Sequence, residues 1–320
     1  EELNRILLNI SNKPVISEHK MLWQKIWTDV DIEIEGKPNL NASESGKLNE
    51  FQKNLKYSMF VLHSSIRDDV VVDVNPLNIS TIDMNGDIFW NSDMFYVPIL
   101  ILLKPTCAKL LLDYRFNQLE KAKSIAMSYG HKGCKFPYKN DIIDYKDVYW
   151  ERISALYVIN TCLIAINSWN YYRVTKDGDW LRTKGYKILK NSVMFFESLL
   201  DDNYKLLNVY NLNNEKDSNN TVSTYLILLT VKYAIEATYE ISYKVDNNWI
   251  TIVKELENNI KNMLVDSTIQ LDTELPTTVH ISQSGAKVMF KSTNGDLLGN
   301  DFGGLSKFML RVIDTETYIF

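Results

Sequence analysis

Residues 104–138, KPTCAKLLLDYRFNQLEKAKSIAMSYGHKGCKFPY, carry the reading of this chain. With GDIFWNSDMFYVP before them (86–98), they read as successive helices over 93–113 and 115–129. Lys104-Pro105 should kink or divide the first, because proline donates no backbone hydrogen bond and clashes with the preceding turn. Further helices follow over 147–173, 178–201, 219–243 and 246–265, joined by short linkers as in antiparallel helix hairpins. In KILKNSVMFFESLL (187–200), Ile188, Ser192, Phe195 or Phe196 and Leu199 recur every three or four residues, one face turned inward.

Before this run, HKMLWQKIWTD (19–29) puts Met21, Leu22, Trp23, Ile26 and Trp27 on one broad helical face, and VDIEIEGKPN alternates as a short strand or extended turn. Another helix is expected over 48–66, then loop, with VVVDV (70–74) as a short strand and Pro76 as a breaker. Past Asp266, five glycines, the alternating TVHIS and KVMFKS and an Asn-Gly-Asp turn read as hairpin-like β-structure. The expected organisation is a lead-in over 1–18, a helical domain over 19–265 and a β-rich segment over 266–320.

The 320 residues, 45% apolar and 23% charged, suit a globular protein with a large core. A net charge of -5 without a dense Lys/Arg run argues against a nucleic-acid partner. No stretch reaches the roughly 18 apolar residues of a membrane span, and EELNRILLNIS does not read as a signal peptide. Cys107, Cys134 and Cys162 have no metal-ligand spacing and read as buried thiols. The sequons at Asn9, Asn41, Asn78 and Asn219 are about as many as chance gives in so asparagine-rich a chain. They lean towards a secreted or lumenal location without establishing it.

Four scattered histidines offer no metal pair, no glycine-rich loop precedes a helix, and no serine sits in a nucleophile elbow, so neither metal nor cofactor is expected. What remains is carboxylates beside aromatics. A sugar site needs aromatic faces to stack on rings, polar groups for hydroxyls, and two carboxyl groups across the scissile bond. FWNSDMF supplies Phe89, Trp90, Asn91 and Asp93, and NLNNEKDSNN supplies Glu215 and Asp217. YKNDIIDYKDVYWE supplies Asp141, Asp144, Asp147 and Trp150. Each segment has a plainer reading: Asn91 to Asp93 as a helix cap and first turn, Trp90 and Phe95 as core, Asp217 or Ser218 as the cap of the next helix.

In order and spacing, these segments resemble the catalytic barrel of glycoside hydrolase family 65, which includes acid trehalases, disaccharide phosphorylases and the glucosidase acting on glucosylgalactosyl-hydroxylysine. GDIFWNSDMFYVP is similar to the family's G-H-x-F-W-D-x-E-x-F-x-x-P, and residues 104–138 to its P-x-x-A-x-x-L-x-Y-R stretch ending in F-P-W. HKMLWQKIWTDVDIEIEG is similar to the helix and strand that precede them. The likeness covers about 19–245. It implies an (α/α)6 barrel, here incomplete, with sites at the mouth of the ring and an α-glucoside or other glycan as partner.

The departures fall on the polar positions. The family's W-D-x-E is Trp90-Asn91-Ser92-Asp93, its His before F-W is Asp87, and its W-E after F-P is Tyr138-Lys139. Its E-V/I-H signature falls on Tyr157-Val158-Ile159. Arg115 is kept. Glu215 is the one counterpart of the general acid, and the second catalytic carboxylate has none. Two readings follow from the resemblance. One is an eroded enzyme that binds carbohydrate or a protein partner, with Trp90, Asn91, Asp93, Arg115 and Tyr138 at the rim. The other is a divergent inverting α-glucoside hydrolase with Glu215 as acid.

Overall fold

The computed structural model describes residues 15–29, 31–34, 42–75, 87–140, 157–207, 209–210, 216–217, 221–266, 280–282 and 285–287. Glu215 lies outside them, as do Asp141, Asp144, Asp147, Trp150, Pro76, the Asn294-Gly295-Asp296 turn and all four sequons. The chain falls into two compact units, Glu1–Ser65 and Ile66–Phe320.

In the first unit, helix α1 (Val15–Asp29) and helix α2 (Ala42–Ser65) meet through aromatic rings. Trp23 lies 4.8 Å from Phe60, and Trp27 meets His63 edge-on. The alternating stretch after α1 is extended but pairs with no strand among the described residues. Its partner is the side chain of Gln52, which accepts from Ile34 N and donates to Ile32 O, both at 2.8 Å. One amide thus meets the backbone needs that a neighbouring strand would otherwise meet. VVVDV is likewise not a strand: its Asp73 side chain is buried, which the argument below explains.

The second unit begins its regular structure with β1 (Ile88–Phe89), a π-helical turn (Ser92–Tyr96), and α3 (Val97–Leu103) and α4 (Pro105–Asn117). Lys104, at φ -149° and ψ 72°, divides α3 from α4 as Pro105 requires. The next break falls at Gln118, so Arg115 closes α4 rather than opening a new helix; α5 (Leu119–Ser128) follows. Then come β2 (Lys139–Asn140), α6 (Ile159–Thr175), a helical turn (Gly178–Trp180), a second π-helical turn (Leu181–Gly185) and α7 (Tyr186–Leu199). The helix expected from 147 starts, within the described residues, at Ile159.

A short pairing of β3 (Val209–Tyr210) with β4 (Lys216–Asp217) precedes α8 (Thr221–Glu240) and α9 (Asn247–Asp266). β5 (His280–Ser282) and β6 (Gly285–Lys287) pair antiparallel, with Ile281 opposite Ala286; nearly all of KVMFKS and the Asn-Gly-Asp turn lie outside the described residues.

The sequence sorts these helices into inner and outer. Every residue of α6 from Ile159 to Tyr172 is buried, so that helix is covered on all sides, and α8 is buried along most of its length, with Glu236, Tyr239 and Glu240 exposed. In α7 and α9, one face is apolar while Lys187, Lys190, Thr251 and Lys254 face solvent. α8 packs on α6, α7 and α9, and α6 packs on α3, α4 and α7. Gly133 fixes one of these contacts. At φ +72° it lets the loop after α5 lie on α7, where Cys134 N donates to Asn191 O at 3.0 Å. A Cβ at Gly133 would sit 2.1 Å from that same carbonyl. Among the described residues, no helix is long and apolar enough to cross a membrane. All three cysteines are free and buried.

Candidate functional site

The motif segments converge at the N-terminal end of α6. β1 and β2 pair antiparallel, Ile88 opposite Asn140 and Phe89 opposite Lys139, and Trp90 N extends the ladder to Tyr138 O at 3.1 Å. The FPY loop is then pinned on the first turn of α6. Phe136 N donates to Thr161 Oγ1 at 3.0 Å, and Asn160 Nδ2 donates to Pro137 O at 2.7 Å. Segments far apart in sequence meet here because a two-residue ladder and two polar side chains of α6 hold them.

What they bring together is first an aromatic stack. Tyr138 lies face to face with Tyr157, ring centroids 4.1 Å apart, and beyond it Trp90 is stacked at 6.2 Å. Phe89 meets Tyr138 edge-on at 4.9 Å. Trp90 and Tyr157 are 2% and 1% exposed, so these rings cover one another rather than lining an open rim. Phe89, Asn91, Met94 and Phe95 remain partly exposed. Asn91 has helical torsions and no side-chain capping bond, so it is not the helix cap that its position suggested. Its amide can hydrogen-bond a hydroxyl but cannot take a proton.

Beside the stack, Lys139 Nζ and Asp87 Oδ2 form an ion pair at 2.8 Å, largely buried. The resemblance read from the sequence expects a glutamate and a histidine at these two positions; here the two residues present satisfy one another.

Deeper in, Arg115 is buried between two carboxylates. Its Nη2 lies 2.5 Å from Asp93 Oδ2 and 2.7 Å from Asp73 Oδ2, and its Nε donates to Asp93 Oδ1 at 3.3 Å. Ser92 Oγ donates to Asp73 Oδ2 at 3.2 Å, Asn140 Oδ1 accepts from Arg115, and Asn167 Nδ2 donates to Asp93 O. The three charged side chains are each 1% exposed. Burial raises both carboxyls, Asp93 to about 7, with Arg115 pulling both down and the Asp73 charge pushing Asp93 up. One guanidinium thus faces two acids, and the cluster holds a proton to higher pH than exposed carboxylates would.

Of the six residues singled out from sequence, Trp90, Tyr138, Asp93 and Arg115 are buried around this end, Asn91 is partly exposed, and Glu215 lies outside the described residues. Asp73 escaped the sequence reading. The signal was there: an acid inside VVVDV needs a buried partner. Among the described residues, no group of His, Cys, Asp and Glu could hold a metal ion.

Comparison with known proteins places the chain. Residues 56–284 match the family model of the glycosyl hydrolase family 65 central catalytic domain. A kojibiose hydrolase from Flavobacterium johnsoniae is 25% identical over 76% of this chain and 35% of its own length. An α,α-trehalose phosphorylase from Thermoanaerobacter brockii is 26% identical over 77% of this chain and 31% of its own. A protein-glucosylgalactosylhydroxylysine glucosidase from Dictyostelium discoideum is 29% identical over 78% and 33%. The chain therefore spans about a third of the length of these curated relatives. A solved structure, named as a kojibiose phosphorylase from the human microbiome, superposes with a TM-score of 0.56 at 13% identity, over 78% of this chain and 40% of that one. The helical arrangement is that of the (α/α)6 fold, as expected from the sequence.

Proposed function

The chain belongs to glycosyl hydrolase family 65, and from that premise we propose that it is a non-hydrolytic member that binds an α-glucoside without cleaving it. One observation carries this reading: at the motif end Tyr138 stacks on Tyr157 at 4.1 Å beside the Lys139–Asp87 ion pair. An inverting hydrolase needs an acid and a base about 6.5–9.5 Å apart, with a water held between base and sugar. At this end Asp87 is held by Lys139, while Asp73 and Asp93 are turned inward onto Arg115. None presents a carboxylate to a sugar. The partly exposed Phe89 and Phe95 can still stack on a ring, and the Asn91 amide can bond its hydroxyls.

General acid–base catalysis contributes about 10²–10⁴ for each group, so lack of a base alone leaves little hydrolytic turnover. The test pairs two measurements on the full chain: glucose release from trehalose and kojibiose, and calorimetric binding of the same sugars. Binding without release is the expected result. Release that Glu215→Gln abolishes makes the chain an inverting hydrolase instead. Absence of both binding and release turns the search to a protein partner.

A further inference from the structure

A second site lies outside the motif end. The C-terminal turn of α4, the start of α5 and one face of α7 line an open groove of ≈ 710 Å³, and none of the motif-end residues lines it. That volume lies within the ~300–1,000 Å³ range of small-molecule sites. Its walls carry Lys123, Arg182, Lys187 and Lys190 against one carboxylate, Glu120, in a chain whose net charge is -5. So strong a local excess of positive charge in an acidic protein focuses an attractive field on anions.

The cations are not equally engaged. Lys123 pairs with Glu120 at 2.8 Å, and Arg182 pairs with Asp179 at 3.1 Å. Lys184, in the same π-helical turn as Arg182 but not in the lining, is held by Asp113. Lys187 and Lys190 have no carboxylate partner among the described residues. Lys187 Nζ instead lies 5.6 Å from the centre of the Phe116 ring, a contact that positions the ammonium at the cavity wall. The spacing of the wall follows from the chain: Arg182, Tyr186 and Lys190 recur every four residues. The first sits in the π-helical turn Leu181–Gly185, an irregularity frequent at functional sites. Gly185 of that turn packs against Trp180, whose ring would lie 2.5 Å from a Cβ there. Tyr186, buried and set edge-on to Tyr243 at 5.6 Å, adds an aromatic surface. A second cavity of ≈ 370 Å³ also has Tyr186 and Lys190 in its lining.

We propose that this groove binds a phosphate monoester carried on a ring, the phosphate between Lys187 and Lys190 and the ring against Phe116 and Tyr186. A sugar phosphate and a mononucleotide share this chemistry. The experiment is calorimetric titration of the full chain with glucose 6-phosphate, AMP and inorganic phosphate, repeated on Lys190→Glu and on Lys254→Glu, an exposed lysine of α9 outside the cavity. Saturable binding of either ester is expected, weakened at least tenfold in Lys190→Glu and unchanged in Lys254→Glu. The ester preferred identifies the source. Binding of inorganic phosphate alone, equal losses in both variants, or no binding by folded protein each overturn the proposal. Both lysines are exposed, so an unchanged melting temperature shows that the variants keep the fold. Failure here leaves the reading of the motif end untouched, since that rests on α-glucoside binding elsewhere on the chain.

Discussion

Replacing Asp73 by asparagine should make the protein more stable at neutral pH, although it removes half of a buried salt-bridge network. Asp73 and Asp93 both contact Nη2 of Arg115, so their oxygens lie within about 5 Å of one another. At an effective dielectric constant near 20, two negative charges at that separation repel by about 3 kcal/mol. Burial raises the Asp93 carboxyl most, and the Asp73 charge beside it adds to that against the pull of Arg115. The folded protein therefore retains a proton that the unfolded chain releases near pH 4. The sign follows from linkage: because the folded carboxyl is raised, its contribution is complete below about pH 4 and is lost as pH rises through about 7. Over that window the native state binds more protons than the unfolded state, and stability falls by up to about 1.4 kcal/mol per pH unit.

Asparagine at position 73 mimics the protonated cluster at every pH. Urea denaturation at pH 5 and pH 7 should then show wild type and Asp73→Asn nearly equal at the lower pH. The variant should gain about 2 kcal/mol relative to wild type between pH 5 and pH 7. A difference between the two proteins that does not change with pH would refute the reasoning, as would a variant that grows less stable as pH rises.

Other changes have definite outcomes. Gly133→Ala drives a Cβ into the Asn191 carbonyl at a positive φ, so chemical denaturation should show a loss on the order of 3 kcal/mol. Lys139→Glu leaves Asp87 facing a like charge in a largely buried setting; the melt should report a loss of about 2 kcal/mol, with no gain in glucose release. Tyr157→Ala removes the ring stacked on Tyr138 and should cost about 3–5 kcal/mol in a urea titration. Cys134 and Cys162 are fully buried, with burial pushing the Cys134 thiol up to about 12. A thiol reagent should therefore label them only as fast as the protein unfolds, and rapid labelling of native protein at pH 7 would contradict that burial.

Much of the fold could be read from the chain because helix signals are local. The apolar spacing of 187–200, the Lys104-Pro105 division and the near-continuous apolar face of 221–238 each act within a turn or two. The short strands were harder. Asp31–Ile34 alternates like a strand, yet its hydrogen bonds go to one glutamine on α2. VVVDV has the composition of a strand, but its Asp73 is committed to a guanidinium 42 positions further along. Nothing in the local pattern announces either partner.

The site was legible in its membership more than in its arrangement. Trp90 and Asp93 could be picked out because aromatics beside polar groups suit a sugar, and Arg115 and Tyr138 through the family resemblance. Their burial against one another depends on Tyr157, just before α6, and on Asn160 and Thr161 of its first turn. The pairing of Asp87 with Lys139 is similar: each looked like a separate departure from the family pattern, and only the β1–β2 register makes them one ion pair.

The most direct test of a closed, non-hydrolytic motif end is glucose release by the purified full chain. It should be offered trehalose, kojibiose and glucosylgalactosyl-hydroxylysine, with Glu215→Gln prepared in parallel. The account predicts release no faster than that of Glu215→Gln on every substrate, from protein that melts cooperatively. Turnover on any one of them that disappears in Glu215→Gln would contradict it, and would mean that the motif end opens to admit a sugar and a water.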